Sequence, residues 1–146
     1  MRLWRISEFL ELDGEGGRLF GGRWNSGGRA IVYTAESSAL AMLELLVQFR
    51  RTRIAQPFQL LEIEAPDAAM IEYKGEVPDY ASRRSLSWGD EWLESGATLL
   101  ARVPAAVAPK SFNVLINPAH PDARSVSLVA HAKYDWDSRL FTSEVD

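Results

Sequence analysis

The sequence predicts a single α+β domain over residues 1–146, in which antiparallel or mixed sheets surround one buried helix. Three observations lead to this prediction. A chain of 146 residues matches one domain and can bury a core without disulfide bonds. One long segment without glycine or proline is apolar on nearly all sides. The segments on either side of it read mostly as strands, which argues against a parallel strand–helix array.

The part of the chain before the long helix contains two short strands separated by turns. Residues 3–6 alternate weakly and predict the first strand. Glycine-rich segments follow at 13–17 and 21–28, and their composition indicates turns and loops. The compact β-rich run at 30–33 predicts a second strand that ends at Tyr33.

The long helix is predicted at residues 39–50, with Ser37 or Ser38 as its N-cap. The segment is rich in alanine, leucine and methionine, which favour helices. At about 100° per residue, one face carries Leu40, Leu43, Glu44 and Val47. Apolar side chains cover most of the other faces as well, so we expect the helix to be largely buried.

The remaining segments are mostly strands. They are predicted at 57–64, at 97–107 with an interruption at Pro104, at 113–117 and at 125–134. A second helix is predicted at 83–95, with Gly96 ending it. Residues 67–82 show no clear period and are expected to be irregular.

Composition and charge exclude several classes of function. The chain has no cysteine, so disulfide bonds and thiolate metal sites are absent, which fits a reducing cytosol. The net charge of −4 argues against direct binding of nucleic acid. The start of the chain does not read as a signal peptide, and no apolar run approaches the roughly 20 residues that span a bilayer. The two histidines, His120 and His131, make a weak metal site. We therefore expect a cytoplasmic protein that binds neither metal nor membrane.

Glu44 is the first candidate for chemistry. A carboxylate on an almost wholly apolar helix costs free energy unless it is paired or hydrogen-bonded. It is either an acid that faces a cleft or a structural carboxylate, and buried acids are concentrated at functional sites.

Arg23 and Tyr33 are the other two candidates. Glycines on both sides of Arg23 allow a close approach to a ligand, and a guanidinium suits two-point binding of phosphate oxygens. Taken alone, a solvated arginine on a hairpin is the simpler reading. Tyr33 is either a core tyrosine with a satisfied hydroxyl or a stacking face for a ring. Together with Glu44, these residues suit a phosphate-bearing glycoside.

At these residues the chain resembles the RES-domain toxins, a family named for an arginine, a glutamate and a serine. The resemblance covers nearly the whole chain. The matching pieces are, in order, Leu3-Trp4-Arg5, Gly22-Arg23-Trp24-Asn25, Val32-Tyr33, Leu40-Ala41-Met42-Leu43-Glu44, Gly89-Asp90-Glu91-Trp92-Leu93, Val103-Pro104-Ala105-Ala106-Val107, Asn113-Val114-Leu115-Ile116-Asn117-Pro118-Ala119-His120-Pro121 and Arg139-Leu140-Phe141.

The resemblance implies an ADP-ribosyltransferase-like fold, with a NAD cleft between small sheets, and an enzyme that consumes NAD by breaking its nicotinamide–ribose bond. Water, phosphate or a protein would accept the ADP-ribose. It implies catalytic roles for Arg23, Tyr33 and Glu44. The residues expected to bind NAD are Arg23, Trp24, Asn25, Tyr33, Ala105 and Asn113. The expected partner is a helix-turn-helix-type antitoxin protein that blocks the cleft, with a host protein as one candidate acceptor.

The family serine does not carry over, because this chain has Pro104-Ala105 where the family motif has Pro-Ser. Losing one well-placed polar contact can slow a reaction by on the order of a hundredfold. Ser111 is close in sequence, but it lies beyond Pro109 and outside the motif, so we do not expect it to compensate. Two alternatives stay open: a mono-ADP-ribosyltransferase that modifies one host protein, and a non-enzymatic antitoxin-binding module weakened by Ala105.

Overall fold

The protein is described by a computed structural model that covers residues 1–52, 57–77 and 83–141. Within these ranges it has seven strands, three α-helices and two short 3-10 helices. The strands are β1 (Arg2–Ser7), β2 (Val32–Ala35), β3 (Phe58–Glu64), β4 (Met70–Glu72), β5 (Leu100–Pro104), β6 (Phe112–Ile116) and β7 (Ser127–Tyr134). The helices are α1 (Glu15–Phe20), α2 (Ser38–Thr52) and α3 (Arg84–Ser95), and the 3-10 helices are Pro121–Ser125 and Ser138–Leu140.

The strands form one sheet in the order β4-β5-β6-β2-β1-β3-β7. The β4–β5 pair is parallel, and the other neighbouring pairs are antiparallel. The predicted α+β class with mixed strands is therefore confirmed, although the described strands make one continuous sheet. The first strand in sequence, β1, lies inside the sheet between β2 and β3.

The two faces of the sheet carry different cores, since alternate residues of a strand point to opposite faces. One face carries a cluster that includes Leu3, Val32, Leu61, Ile63, Leu100, Val114 and Ile116. The opposite face carries two clusters. The first contains Trp24, Ile31, Trp92, Ala101, Val103 and Leu115, and the second contains Ala35, Leu40, Ala41 and Ala105 beside α2.

The predicted long helix is confirmed as α2, and Leu40 N donates to the Ser37 hydroxyl at 3.1 Å, as expected of an N-cap. The burial of this helix is less even than its all-round apolar sequence predicts. Leu40 and Ala41 are buried, but Val47 is 41% exposed. The reason is that α2 packs against β1 and β2 along one side. No helix within the described ranges is long and apolar enough to cross a membrane.

The second predicted helix is confirmed as α3, which ends at Gly96 with a positive φ of 61°. One strand and one α-helix were missed. Strand β4 lies in the segment predicted to be irregular, whose residues 78–82 fall outside the described ranges. Its pairing with β5 is long-range, and three residues give no period. Helix α1 contains Gly17, where a Cβ would lie 2.5 Å from Ile31 Cγ2, so this glycine allows close packing.

Candidate active site

The arginine loop, residues 21–28, is a tight turn that presents Arg23. Gly22 N donates to Asn25 O at 3.0 Å, and an isolated antiparallel bridge joins these two residues. Arg23 and Trp24 therefore form the tip of the turn. A Cβ at position 22 would lie 2.5 Å from the Tyr33 hydroxyl oxygen, so a larger residue there would displace Tyr33 or the turn.

The hydroxyl of Tyr33, which lies near the start of β2, holds this turn. It donates to Asn25 Oδ1 at 2.6 Å and accepts from Trp24 N at 3.1 Å. These two bonds satisfy the hydroxyl inside the protein. The residue is half-buried, so part of it stays accessible to solvent. The structure thus gives Tyr33 a role in shaping the loop that the sequence did not reveal.

The side chains of Asn25 and Trp24 lie inside the protein and support the arginine loop. Asn25 is fully buried, and its Nδ2 donates to the carbonyl oxygens of Gly17, Ser26 and Arg29. Trp24 is 2% exposed, and its ring packs edge-on against Tyr73 and Trp88. Both residues therefore shape the loop from within.

Glu44 lies above the centre of the sheet. Leu40 and Ala41, one turn earlier on α2, pack against Ala35 and Ala105. Glu44 is half-buried, and its Oε1 accepts a hydrogen bond of 2.8 Å from Asn113 Nδ2 on β6. The carboxylate is thus oriented by a neutral amide from the sheet.

The other end of the Asn113 side chain carries an unused acceptor. Asn113 Oδ1 is buried and has no hydrogen-bond partner among the described residues. Such an atom is uncommon, because most buried polar atoms are satisfied by protein or ordered water. Its position next to Glu44 makes it a candidate contact for a donor group on a ligand.

The strand register brings Tyr33 and Asn113 to the same face of the sheet. Asn113 pairs with Ala35 of β2, and Tyr33 lies two residues before Ala35 on the same strand. Diagonal neighbours of this kind lie about 7–8 Å apart, within reach of aromatic and long side chains. The structure therefore brings Tyr33, with the arginine loop bonded to it, together with the Asn113–Glu44 pair.

Ala105 is buried where the strand pairing of β5 and β6 continues by one residue. It is 3% exposed, and its N donates to Ser111 O at 2.9 Å. Ser111 therefore lies directly across from Ala105, although it is beyond Pro109 and outside the sequence motif. Val103 pairs with Asn113, and Ala105 follows Val103 by two residues. Because alternate residues of a strand point to the same face, Ala105 lies on the same face as Asn113.

Helix α3 contributes residues that sequence reasoning missed. The Asp90 carboxylate accepts from Ser26 N at 2.9 Å and from Ser26 Oγ at 2.5 Å. A Cβ on Gly89 would lie 1.7 Å from Trp24 O, so the helix backbone touches the arginine loop. A glycine in the middle of a helix was the available signal, since it usually has a packing or functional reason.

A half-buried arginine on β1, Arg5, supports Tyr33. Arg5 Nη1 donates to Tyr33 O at 2.8 Å, and burial lowers the pKa of the Arg5 guanidinium from its usual value. His120 stabilises a turn, because its Nδ1 accepts from Asp122 N at 3.1 Å at the start of a 3-10 helix. The described residues contain no group of three or more histidine, aspartate or glutamate side chains able to hold a metal ion.

A shallow groove lies beside the rings of Trp24, Tyr73 and Trp88 and not over Glu44. It has a volume of about 540 Å³ and is lined by Tyr73, Arg83, Arg84, Ser87, Trp88 and Glu91. Its lining includes neither Arg23, Tyr33 nor Glu44.

Comparison with known proteins gives one consistent family. The model of the RES domain matches residues 2–137. The chain is 39% identical over 152 residues to "Prs ADP-ribosylating toxin" of Sphingobium sp. (strain YBL2), with 94% of each protein covered. It is 38% identical over 146 residues to "Toxin Res" of Pseudomonas putida, covering 97% of this chain and all of that protein.

A solved structure supports the fold. The crystal structure of the M. tuberculosis MbcT–MbcA toxin–antitoxin complex superposes with a TM-score of 0.75 at 18% identity, covering 91% of this chain and 83% of the matched chain. The family match and the two relatives extend over almost the whole sequence. The chain therefore belongs to the RES-domain family of toxins.

Proposed function

We propose that this protein is the toxin of a toxin–antitoxin pair and that it cleaves NAD between nicotinamide and ribose. The observation that carries the proposal is the Glu44 carboxylate, which Asn113 holds at 2.8 Å on the sheet face shared with Tyr33. NAD is the substrate, and no metal is needed. The relative named an ADP-ribosylating toxin supports this chemistry, and the toxin–antitoxin complex supports the pairing.

Arg23 binds the pyrophosphate of NAD. A planar guanidinium can donate to two phosphate oxygens at once, which fixes orientation as well as charge. The turn that carries Arg23 is stiffened by Tyr33 and Asn25, so little ordering is left to occur on binding. Trp24 and Asn25 contribute to NAD binding through the shape of this turn.

Glu44 stabilises the ribose as nicotinamide leaves. The bond between C1′ and the nicotinamide nitrogen breaks, and its electron pair departs with the neutral nicotinamide. The ribose becomes oxocarbenium-like, as in other glycosyl transfers. A carboxylate oriented in advance stabilises this positive charge at no further cost of reorganisation. The acceptor then adds to C1′ and loses a proton.

Asn113 and Tyr33 complete the site around the ribose. Asn113 orients Glu44 with its amide nitrogen, and its unpartnered Oδ1 can accept a hydrogen bond from a hydroxyl or amide of bound NAD. The ring of Tyr33 packs against nicotinamide or its ribose. Ala105 lacks the hydroxyl expected at that position, so we expect reduced activity.

The acceptor separates the main proposal from its alternatives. Transfer to water or phosphate makes the protein a NAD glycohydrolase or phosphorylase. Transfer to one host protein makes it a mono-ADP-ribosyltransferase, which the name of the Sphingobium relative favours. A non-enzymatic module that binds a helix-turn-helix-type antitoxin is the remaining alternative, and Ala105 is its motivation.

The test is NAD loss and nicotinamide release by purified protein, as it stands and as Glu44→Gln, Glu44→Ala and Ala105→Ser. Glu44→Gln keeps an acceptor for Asn113 but removes the charge. We expect it to lose activity by about a hundredfold or more with an unchanged unfolding midpoint, and Ala105→Ser to gain activity. Parallel reactions with phosphate, and with lysate and labelled NAD, identify the acceptor. Undiminished turnover by Glu44→Gln would refute the role of Glu44, and no turnover from any form would favour the binding module.

A further inference from the structure

Helix α3 fastens the arginine loop three residues beyond Arg23. One oxygen of Asp90 accepts from Ser26 N at 2.9 Å, and the other accepts from Ser26 Oγ at 2.5 Å. Hydrogen bonds to a charged acceptor are roughly twice as strong as neutral ones. Because one bond goes to the backbone and one to the side chain, they fix both the position and the orientation of Ser26.

Helix α3 also contacts the loop on the other side of the turn, at Trp24. A Cβ on Gly89 would lie 1.7 Å from Trp24 O and 2.7 Å from Trp24 C. The backbone of α3 therefore rests directly on the residue that follows Arg23, with no side chain between them. The turn that presents Arg23 is held between this contact and the Asp90 carboxylate.

The Asp90 carboxylate faces the arginine loop and Arg29, the residue that follows it. Arg29 Nε lies 3.7 Å from Asp90 Oδ1, and Arg29 Nη2 lies 3.6 Å from Glu94 Oε2. Arg29 follows the arginine loop, so the same helix surface also attracts the segment leading into β2. Only 20% of the Asp90 side chain is exposed, which limits screening by solvent.

We infer that Asp90 is a positioning residue for Arg23, which it fixes through Ser26, so that the guanidinium meets the pyrophosphate of NAD in a set orientation. The inference rests on the proposed function, in which Arg23 binds that pyrophosphate. Without the Asp90 carboxylate, the loop loses the two hydrogen bonds that hold Ser26. Binding of the pyrophosphate then weakens, while the hydrogen bond between Asn113 and Glu44 is unchanged.

The experiment measures the affinity of purified protein for ADP-ribose, which carries the pyrophosphate, and for nicotinamide, which does not. The variants are Asp90→Ala, Asp90→Asn, Ser26→Ala, Arg23→Ala and the double variant Arg23→Ala/Asp90→Ala. Glu91→Gln is the matched control, because it removes a carboxylate from the next, exposed position of α3. Thermal unfolding of each variant separates loss of binding from loss of the fold.

We expect Asp90→Ala to weaken ADP-ribose binding by about tenfold and to leave nicotinamide binding unchanged. Ser26→Ala and Asp90→Asn each keep part of the hydrogen bonding between Ser26 and position 90, so we expect them to lose less ADP-ribose affinity. They test the same inference if Asp90→Ala does not fold. In the Arg23→Ala background, adding Asp90→Ala changes ADP-ribose affinity by less than about twofold, because a residue acting through Arg23 has nothing left to position.

Three results would overturn the inference, the first two without touching the proposed function. If Arg23→Ala weakens ADP-ribose binding but Asp90→Ala does not, or if the two losses add in the double variant, Asp90 does not act through Arg23. If Arg23→Ala itself leaves ADP-ribose affinity unchanged, the pyrophosphate role in the proposed function is wrong, and the positioning role falls with it.

Discussion

At the scale of single residues, Tyr33 links the two halves of the candidate site. Its hydroxyl bonds to Trp24 N and Asn25 Oδ1 in the arginine loop, while its strand pairs with β6, which carries Asn113. The satisfied hydroxyl agrees with the core reading that its sequence position left open, and the stacking of its ring on a ligand stays a prediction. The hydroxyl has a structural task in the loop, and contact of the ring with nicotinamide is the proposed second task.

Tyr33→Phe separates these two tasks. The change leaves Trp24 N and Asn25 Oδ1 without a partner, so we expect unfolding to become easier by about 1–3 kcal/mol. The loosened loop should raise KM for NAD more than it lowers kcat, because the ring is kept. Urea unfolding and steady-state kinetics measure both effects. Tyr33→Ala is the comparison, and equal kinetics for the two variants would show that the ring contributes nothing.

The sequence could identify Glu44 but not what orients it. A lone carboxylate on an apolar helix is a local signal, because neighbours in sequence are neighbours on the helix. The Asn113–Glu44 bond joins residues 69 positions apart, and no local pattern encodes it. Asp90 was likewise visible only as part of a matching motif, because its bond to Ser26 spans 64 positions.

At the scale of elements, prediction succeeded where the pattern was long and local. Helix α2 and helix α3 were both found, since each has more than three turns of helical sequence. Helix α1 was read as a turn because its glycines suggest flexibility, whereas the fold uses Gly17 for close contact with Ile31. Strand β4 is short and depends on a distant partner, so composition alone could not reveal it.

Helix α3 offers a direct test of this use of glycine. In Gly89→Ala the new Cβ would lie 1.7 Å from the Trp24 carbonyl oxygen, so the helix or the loop must move. Overpacking of this kind costs about 1–3 kcal/mol or more, which exceeds the gain of about 1 kcal/mol in helix propensity. We expect lower stability in urea and weaker ADP-ribose binding.

The matched control is another helical glycine with free space around it. A Cβ at Gly16 in α1 would meet no atom within 4 Å, so Gly16→Ala should stabilise the protein by about 0.4–1 kcal/mol. If Gly89→Ala proved as stable as Gly16→Ala, the close contact between α3 and the loop would not exist in solution.

At the scale of the whole molecule, one sheet carries both halves of the candidate site. Tyr33 lies on β2 and Asn113 on β6, and these strands are neighbours in the order β5-β6-β2-β1-β3. Strand β1 holds β2 to β3 and so joins the site to the far side of the sheet. A small domain of this size usually unfolds in one cooperative step. The candidate site should therefore lose its structure when the sheet unfolds, and not at a lower concentration of denaturant.

Leu3→Ala and Val129→Ala test this dependence on the centre of the sheet. Leu3 on β1 is 1% exposed, and removing its side chain from the core should cost about 2–5 kcal/mol. Val129 on the edge strand β7 is 47% exposed, so its replacement should change stability by less than about 1 kcal/mol. In urea, the midpoint for NAD cleavage should follow the unfolding midpoint in both variants. Activity lost well below the unfolding midpoint of Leu3→Ala would mean that the site opens locally, independently of the sheet.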